Sequence, residues 1–319
     1  MNRNSNLLLT ALAPAIWGST YLVTTECLAG WHPLMVAMLR ALPAGLLLLL
    51  GVRVWPTGAW LPKILLLGVL NFSLFWFLLF VAAYRLPGGV AATVGAIQPL
   101  LVILLARPIL ATPIRLVSVV AALAGMGGAA LLVLAPGAQL DLVGIGAGLA
   151  GAVSMACGTV LSRRWQPPVS PLIFTAWQLT AGGIALLPFA IWLAPAPPEI
   201  TGQNLLGLGY LGLIGAAGTY LLWFRGIAKL DPSTVAPLGL LSPIVAVILG
   251  WAVLGQNLNA VQLFGMAVVV GGILLASRQP VAPAPNLSGN ADAEPHPPAF
   301  ALALSPRPSL IPKAPTDPP

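Results

Sequence analysis

The stretch VAATVGAIQPLL, residues 90–101, returns as TVAPLGLLSPIV at residues 234–245. The likeness runs without a gap from Val90–Leu131 onto Thr234–Leu275, a displacement of 144 positions. Gly95 falls on Gly239, Pro99 on Pro243, and Gly127-Gly128 on Gly271-Gly272. Upstream in the same register, Leu78-Leu79 meets Leu222-Trp223, Phe80 meets Phe224 and Arg85 meets Lys229. A second block, His32–Gly45, matches Ser170–Gly183 at a slightly different offset, with Pro33 on Pro171 and Arg40 on Gln178. The chain is therefore two related halves. A period this long is outside the ~20–50 residues of solenoid repeats. In an apolar chain it points to a duplicated membrane module.

Composition agrees. Of 319 residues, 58% are hydrophobic and 7% charged, and the mean hydropathy is +0.95. Soluble domains carry about 25% charged residues. So little polar surface cannot cover a water-facing globule, and the surrounding solvent must be lipid. The net charge of +7 does not imply nucleic acid as a partner, because the basic residues stand singly between apolar runs and form no patch. Cys27 and Cys157 lie in or beside apolar segments and suggest neither a disulfide framework nor a metal site.

A spanning helix needs about 20 mostly apolar residues. Ten segments qualify: Leu7–Thr25, Pro33–Gly51, Pro62–Ala83, Gly89–Leu105, Ile114–Leu134, Leu142–Leu161, Pro171–Leu193, Asn204–Phe224, Ser233–Leu254 and Ala260–Ala276. Leu7–Ala15 has the look of a signal-peptide core, but no convincing cleavage site follows, and Trp17 and Tyr21 continue the segment. It is expected to stay as the first helix.

The positive-inside rule sets the orientation. With Arg3 and the N-terminus in the cytoplasm, the inside connections hold Arg53, Lys63, Arg107, Arg115, Arg163, Arg164, Arg225 and Lys229. The outside connections hold Glu26, Arg85, Asp141 and Glu199, so Arg85 is the one basic exception. Five helices per half is an odd number, and the second half enters the membrane upside down. The expected fold is an all-α membrane protein of ten transmembrane helices, built as two inverted five-helix repeats over residues 7–134 and 142–277. The expected location is the cell (inner) membrane, multi-pass, with both termini cytoplasmic. Residues 279–319 are rich in Pro and Ala without a spanning run and are expected to form a disordered cytoplasmic tail.

These features carry a family resemblance. The residues are Trp17-Gly18 in the first helix, Pro33 and Arg40 in the second, and Pro99 and Pro243 followed by an apolar run, a short hinge and Gly-Gly. Tyr220, Gly226 and Leu254-Gly255 complete the second copy. Each half resembles an EamA module of the drug/metabolite transporter superfamily, over about Leu8 to Ser277. The resemblance implies a membrane carrier of small metabolites. It also implies Glu after Leu254-Gly255, where this chain has Gln256; Thr112 stands at the matching place in the first half.

Polar residues within spans tend to face the bundle interior. Arg40 lies about seven residues into the second helix, roughly 10 Å deep at 1.5 Å per residue. A central Arg costs about 2.5–3.5 kcal/mol on insertion scales, so something must compensate. The sharp reading is a cavity that attracts a solute carboxylate; the alternatives are an ion pair with Glu26 and snorkelling to the outer surface. Gln178 holds the matching place in the seventh helix beside Trp177. The repeat symmetry suggests that Arg40 and Gln178 flank one cavity, and a plain interhelical hydrogen bond is the alternative. Gln98 and Ser242 precede the paired prolines, for cavity lining and gating or for packing around a kink. Trp17, Tyr21, Asn71 and Tyr220 join the candidate substrate cavity, with anchoring at the membrane interface as the alternative for the aromatic ones.

No catalytic constellation, nucleotide loop or metal-ligand spacing is present, and no cofactor is called for. Rings of like charge that would mark a channel are not visible. Inverted duplication favours a carrier that moves a small-molecule solute by alternating access through a central cavity. An amino acid or similar amphipathic metabolite, exported, is the first expectation. Efflux of lipophilic drugs is the alternative, and an intramembrane enzyme is the weakest reading.

Overall fold

The computed structural model describes residues 2–86, 88–132, 141–256 and 258–277. Among these, ten helices follow one another: α1 (Arg3–Cys27), α2 (Pro33–Val52), α3 (Trp60–Arg85), α4 (Val90–Leu110), α5 (Leu116–Leu131), α6 (Leu142–Arg164), α7 (Pro171–Leu193), α8 (Gly202–Lys229), α9 (Pro232–Leu254) and α10 (Ala260–Ser277). Eight are long and apolar enough to cross a membrane; α5 and α10 are shorter apolar helices. Val133 and Leu134, the expected end of the fifth span, and the expected tail at 279–319 lie outside the described residues.

Local chemistry sets the helix ends, often in matching pairs. Pro33 and Pro171 open α2 and α7, where a missing N–H is no loss. Asp141 caps α6 by accepting from the Gly144 N–H at 2.7 Å. At their other ends α4 and α9 close on left-handed residues at repeat-equivalent positions, Ala111 (φ 55°) and Gly255 (φ 66°). Glycine adopts this conformation freely; alanine does so at a cost of about 1 kcal/mol.

Two kinds of helix irregularity also recur, and a third, in α1, does not, since its counterpart α6 runs unbroken from Leu142 to Arg164. α1 is divided at Gly18 into Arg3–Trp17 and Ser19–Cys27. α4 breaks between Gly95 and Gln98, just before Pro99, and α9 tightens to a 3₁₀ turn over Ala236–Leu240, just before Pro243. α3 and α8 carry π-helical segments, Val69–Ser73 and Tyr210–Gly218, which overlap under the 144-residue shift. A π segment disturbs the regular carbonyl ladder, and neighbours satisfy it here. Ser154 of α6 donates to the Leu70 carbonyl at 2.7 Å, while Ser73, in the π segment itself, donates outward to the Gly182 carbonyl of α7 at 2.7 Å.

The packing is that of an inverted pair. A Cβ on Gly45 would stand 2.5 Å from the Thr180 nitrogen, and one on its equivalent Gly183 would stand 2.6 Å from Leu42 Cα. The partner number falls as the position rises, so α2 and α7 run antiparallel, backbone against backbone. α5 and α10 repeat this, with Gly128 against the Gly265 carbonyl and its equivalent Gly272 against the Ala121 carbonyl. Only small residues allow such approach. Likewise α1 packs on α8 and α9, and α6 packs on α3 and α4. Each half's first helix thus lies against the third and fourth helices of the other half.

The two ends of the bundle differ in charge. At one end Arg163 donates to the Ile227 and Ala228 carbonyls, Arg164 to Ile109, and Arg225 to the Asn6 side chain. Cations on the last carbonyls of helices complement the helix dipole. At the other end Tyr84 reaches the Leu28 carbonyl, and Asn204 reaches Cys27. There Arg85, the basic exception, is paired with Asp141 at 3.1 Å. The Gly144 N–H first, and Arg85 second, hold the Asp141 carboxyl below the usual carboxylate range.

Gly183→Val forces the α2 and α7 backbones apart and is expected to lower thermal stability in detergent by at least about 1–3 kcal/mol. Gly127→Ala, where an added Cβ meets nothing within 4 Å, should leave stability unchanged or raise it by about 0.5–1 kcal/mol. Melting curves of the purified variants check both.

Candidate functional site: a central aromatic cavity with one buried arginine

A cavity of about 90 Å³ lies where α1, α2, α3, α4, α6, α8 and α9 meet. The halves of α2, α3, α4 and α6 that line it are those leading to the Arg85–Asp141 end. Towards the basic end it is closed by a ring stack: Phe72 and Tyr220 (4.5 Å between centroids), Tyr220 and Phe224 (5.7 Å), and Phe224 and Phe174 (5.2 Å).

Arg40 is built into the wall. It is 1% exposed, and its Nη2 donates to the Gly215 carbonyl at 2.7 Å. That carbonyl lies in the π segment of α8 and also accepts from the Thr219 hydroxyl at 2.8 Å. Thr219 in turn accepts from the Trp17 indole N–H at 2.8 Å. One chain of bonds thus ties α1, α8 and α2 together. The guanidinium stands 4.3 Å over the Trp76 ring, a cation–π contact that offsets part of the burial. Arg40 Nε and Nη1 and the indole nitrogen of Trp223 are buried donors without a partner. Groups of this kind are costly unless something pairs with them, and Arg40 and Trp223 both line the cavity. The rest of the wall is aromatic and small: Trp17 lies 4.9 Å from Tyr220 and 5.1 Å from Trp223.

Of the residues expected at the cavity, Trp17, Tyr21, Arg40, Gln98, Tyr220 and Ser242 line it, as do Pro99 and Pro243. Asn71, Trp177 and Gln178 do not. Trp177 donates to the Val54 carbonyl at 2.6 Å, near the end of α2. Asn71 donates to Gln178 Oε1 at 2.8 Å and to the Ser162 hydroxyl at 3.1 Å. Arg40 and Gln178 therefore do not flank one cavity. An in-plane two-fold axis places equivalent residues in opposite halves of the membrane. Arg40 reaches Gly215 in α8, whereas Gln178 reaches Asn71, the equivalent position in α3. The ion pair of Glu26 with Arg40 is not formed either: Glu26 is exposed at the end of α1, and Arg40 is enclosed by aromatic rings. Snorkelling is excluded by the same burial.

The sequence does not single out Trp76, Trp223 or Thr219 as cavity residues. Trp76 and Trp223 are 1% exposed. A signal was available, since the register places Tyr220 on Trp76. A second cleft, between α1 and α9, is bordered by Tyr21, Thr25, Gly250 and Gln256. Among the described residues no three His, Cys, Asp or Glu side chains cluster to hold a metal.

The EamA-like transporter family model matches residues 4–134 and again 142–278. The chain belongs to the EamA-like transporter family. Protein PecM of Dickeya dadantii (strain 3937) is 43% identical over 265 residues, covering 82% of this chain and 89% of PecM. A protein of Salmonella typhimurium named "Probable amino-acid metabolite efflux pump" is 25% identical over 284 residues, covering 84% and 93% of the two chains. A crystal structure of a 22% identical protein shares the fold, with a TM-score of 0.74 over 87% of this chain and 99% of that one. Membership makes this EamA protein a multi-span membrane transporter rather than an enzyme.

Replacing Asn71 with Ala strips partners from buried Gln178 and Ser162. A loss of about 1–3 kcal/mol is expected, read as a lower melting temperature in detergent; an unchanged melting temperature would show that the amide cluster holds nothing together.

Proposed function

We propose that this transporter carries a small amphipathic metabolite bearing a carboxylate, an amino-acid metabolite or a similar compound, out of the cell by alternating access. The carrying observation is Arg40: a buried guanidinium with two unpartnered nitrogens, stacked on Trp76 in an aromatic pocket that both halves build. A solute carboxylate is a charge-assisted acceptor for buried arginine donors of this kind. The name of the Salmonella relative supports outward movement of an amino-acid metabolite. The cavity is smaller than the ~300–1,000 Å³ of typical ligand pockets, so solute binding requires the halves to part. The repeats 7–134 and 142–277 are the units that move. The interrupted segments before Pro99 and Pro243 give α4 and α9 a place to bend.

The basic end is assigned to the cytoplasm of a cell membrane, with both termini there, which makes the cavity-bearing half the outer one. Efflux of lipophilic compounds is the second reading, favoured by the largely apolar wall; it does not require Arg40.

Arg40→Ala is expected to cut export of a carboxylate solute from loaded cells by at least tenfold at unchanged membrane abundance; undiminished export removes Arg40 from the site and favours the lipophilic reading. Cysteines placed at the two chain ends should both resist an impermeant thiol reagent in intact cells and react after lysis. Labelling of only one end in intact cells would overturn the topology.

A further inference from the structure

We infer that the Arg40 cavity selects solutes of net negative charge over zwitterions, and that transport is electrogenic, drawn outward by an interior-negative membrane potential. This rests on the cavity being the solute site.

Among the described lining residues Arg40 is the only Asp, Glu, His, Lys or Arg. One face of its guanidinium is covered by Trp76 and one N–H is spent on Gly215. Nε and Nη1 are left as buried donors without a partner, and a carboxylate is the charge-assisted acceptor that suits them. A monoanion bound there brings the cavity to neutrality, with the Trp223 indole N–H as a further donor. A zwitterion carries an ammonium in with its carboxylate and restores a positive charge beside Arg40. Among the described lining residues no carboxylate answers that ammonium, and the rings of Trp17, Trp76, Tyr220 and Trp223 are turned against one another. Burial of an unpaired charge is strongly disfavoured.

The same inventory fixes the charge moved. The described wall offers no carboxylate or imidazole to bind a proton or metal cation alongside the solute. Each turnover then moves the solute's own charge. An anion leaving an interior-negative cell runs down the potential, and 100 mV corresponds to a concentration ratio of about fiftyfold for one charge.

The test uses the purified full chain in liposomes with a potassium diffusion potential set by valinomycin. The labelled probes are N-acetyl-L-phenylalanine, L-phenylalanine and L-phenylalaninamide, which share one side chain and differ in charge. N-acetylphenylalanine is expected to accumulate towards about fiftyfold at 100 mV interior-positive. Phenylalanine should move at least tenfold more slowly and the amide no faster than through protein-free liposomes, and collapsing a pH gradient should change none of these. Arg40→Gln, which gives position 40 the amide found at Gln178, should lose the N-acetylphenylalanine flux while eluting as the wild type does. Arg40-dependent phenylalanine flux equal to that of N-acetylphenylalanine overturns the charge selection, and flux indifferent to the potential overturns electrogenicity; both leave Arg40 at the solute site. Undiminished flux in Arg40→Gln, or N-acetylphenylalanine flux no greater than in protein-free liposomes, overturns the cavity reading itself together with the inference.

Discussion

Lipid offers no hydrogen bonds, and every polar group within this bundle must be met from inside it. That constraint organises the structure more than any single apolar contact does. The carbonyls disturbed by the two π segments are met by neighbours: Leu70 by Ser154, and Gly215 by Arg40 and Thr219. The indole of Trp17 is met by Thr219, and the amide of Asn71 by Gln178 and Ser162. Some buried groups are left unmet, among them Asn71 Oδ1 and Gln178 Nε2 in the amide cluster; of these groups, Arg40 Nε and Nη1 and the Trp223 N–H belong to residues that line the cavity. Polar donors left unmet in a hydrocarbon setting need a partner from elsewhere, and a passing solute is one.

The two halves solve one geometric problem with different chemistry. In each, the second helix of one repeat sends a polar side chain to the π segment in the third helix of the other. One copy uses Arg40 on the Gly215 carbonyl; the other uses Gln178 on the Asn71 amide. The first leaves a charge with spare donors beside open space. The second forms a neutral amide–hydroxyl cluster of residues that do not line the cavity. The scaffold is therefore symmetric, while the chemistry is polarised along the membrane normal. A carrier with identical sites in both halves would hold its solute equally on either side.

The architecture was legible because its causes are periodic and local. Apolar runs long enough to span, five to a half, with cations on alternate connections, imply ten helices and an upside-down second copy. Gly45 with Gly183 and Gly128 with Gly272 already stand in register in the sequence, and the structure places them at the antiparallel crossings. The cavity was legible in part. Arg40, Trp17 and Tyr220 stand out as polar or amphipathic groups within spans. Gln178 misled for a physical reason: equivalence under an inverting axis means equal depth from opposite faces, not proximity. Trp76 and Trp223 were hidden because a tryptophan in an apolar run looks the same whether it faces headgroups or a cavity. Thr219 was hidden because a threonine in an apolar helix commonly bonds its own i−4 carbonyl, and its link to the Trp17 indole shows only once α1 and α8 are packed together.

The Arg85–Asp141 pair carries a consequence for how an upside-down copy comes to be tolerated. Arg85 and Lys229 descend from one position, so the same cation appears on both faces of the bundle, once with the bias of its neighbours and once against it. Asp141, at the junction between the halves, supplies the missing counter-charge by a short bridge. A mirrored gene copy inherits its ancestor's electrostatic address label whichever way it is inserted. Here one acidic residue in the joining segment cancels the misprinted letter, so the first repeat did not have to give up its arginine.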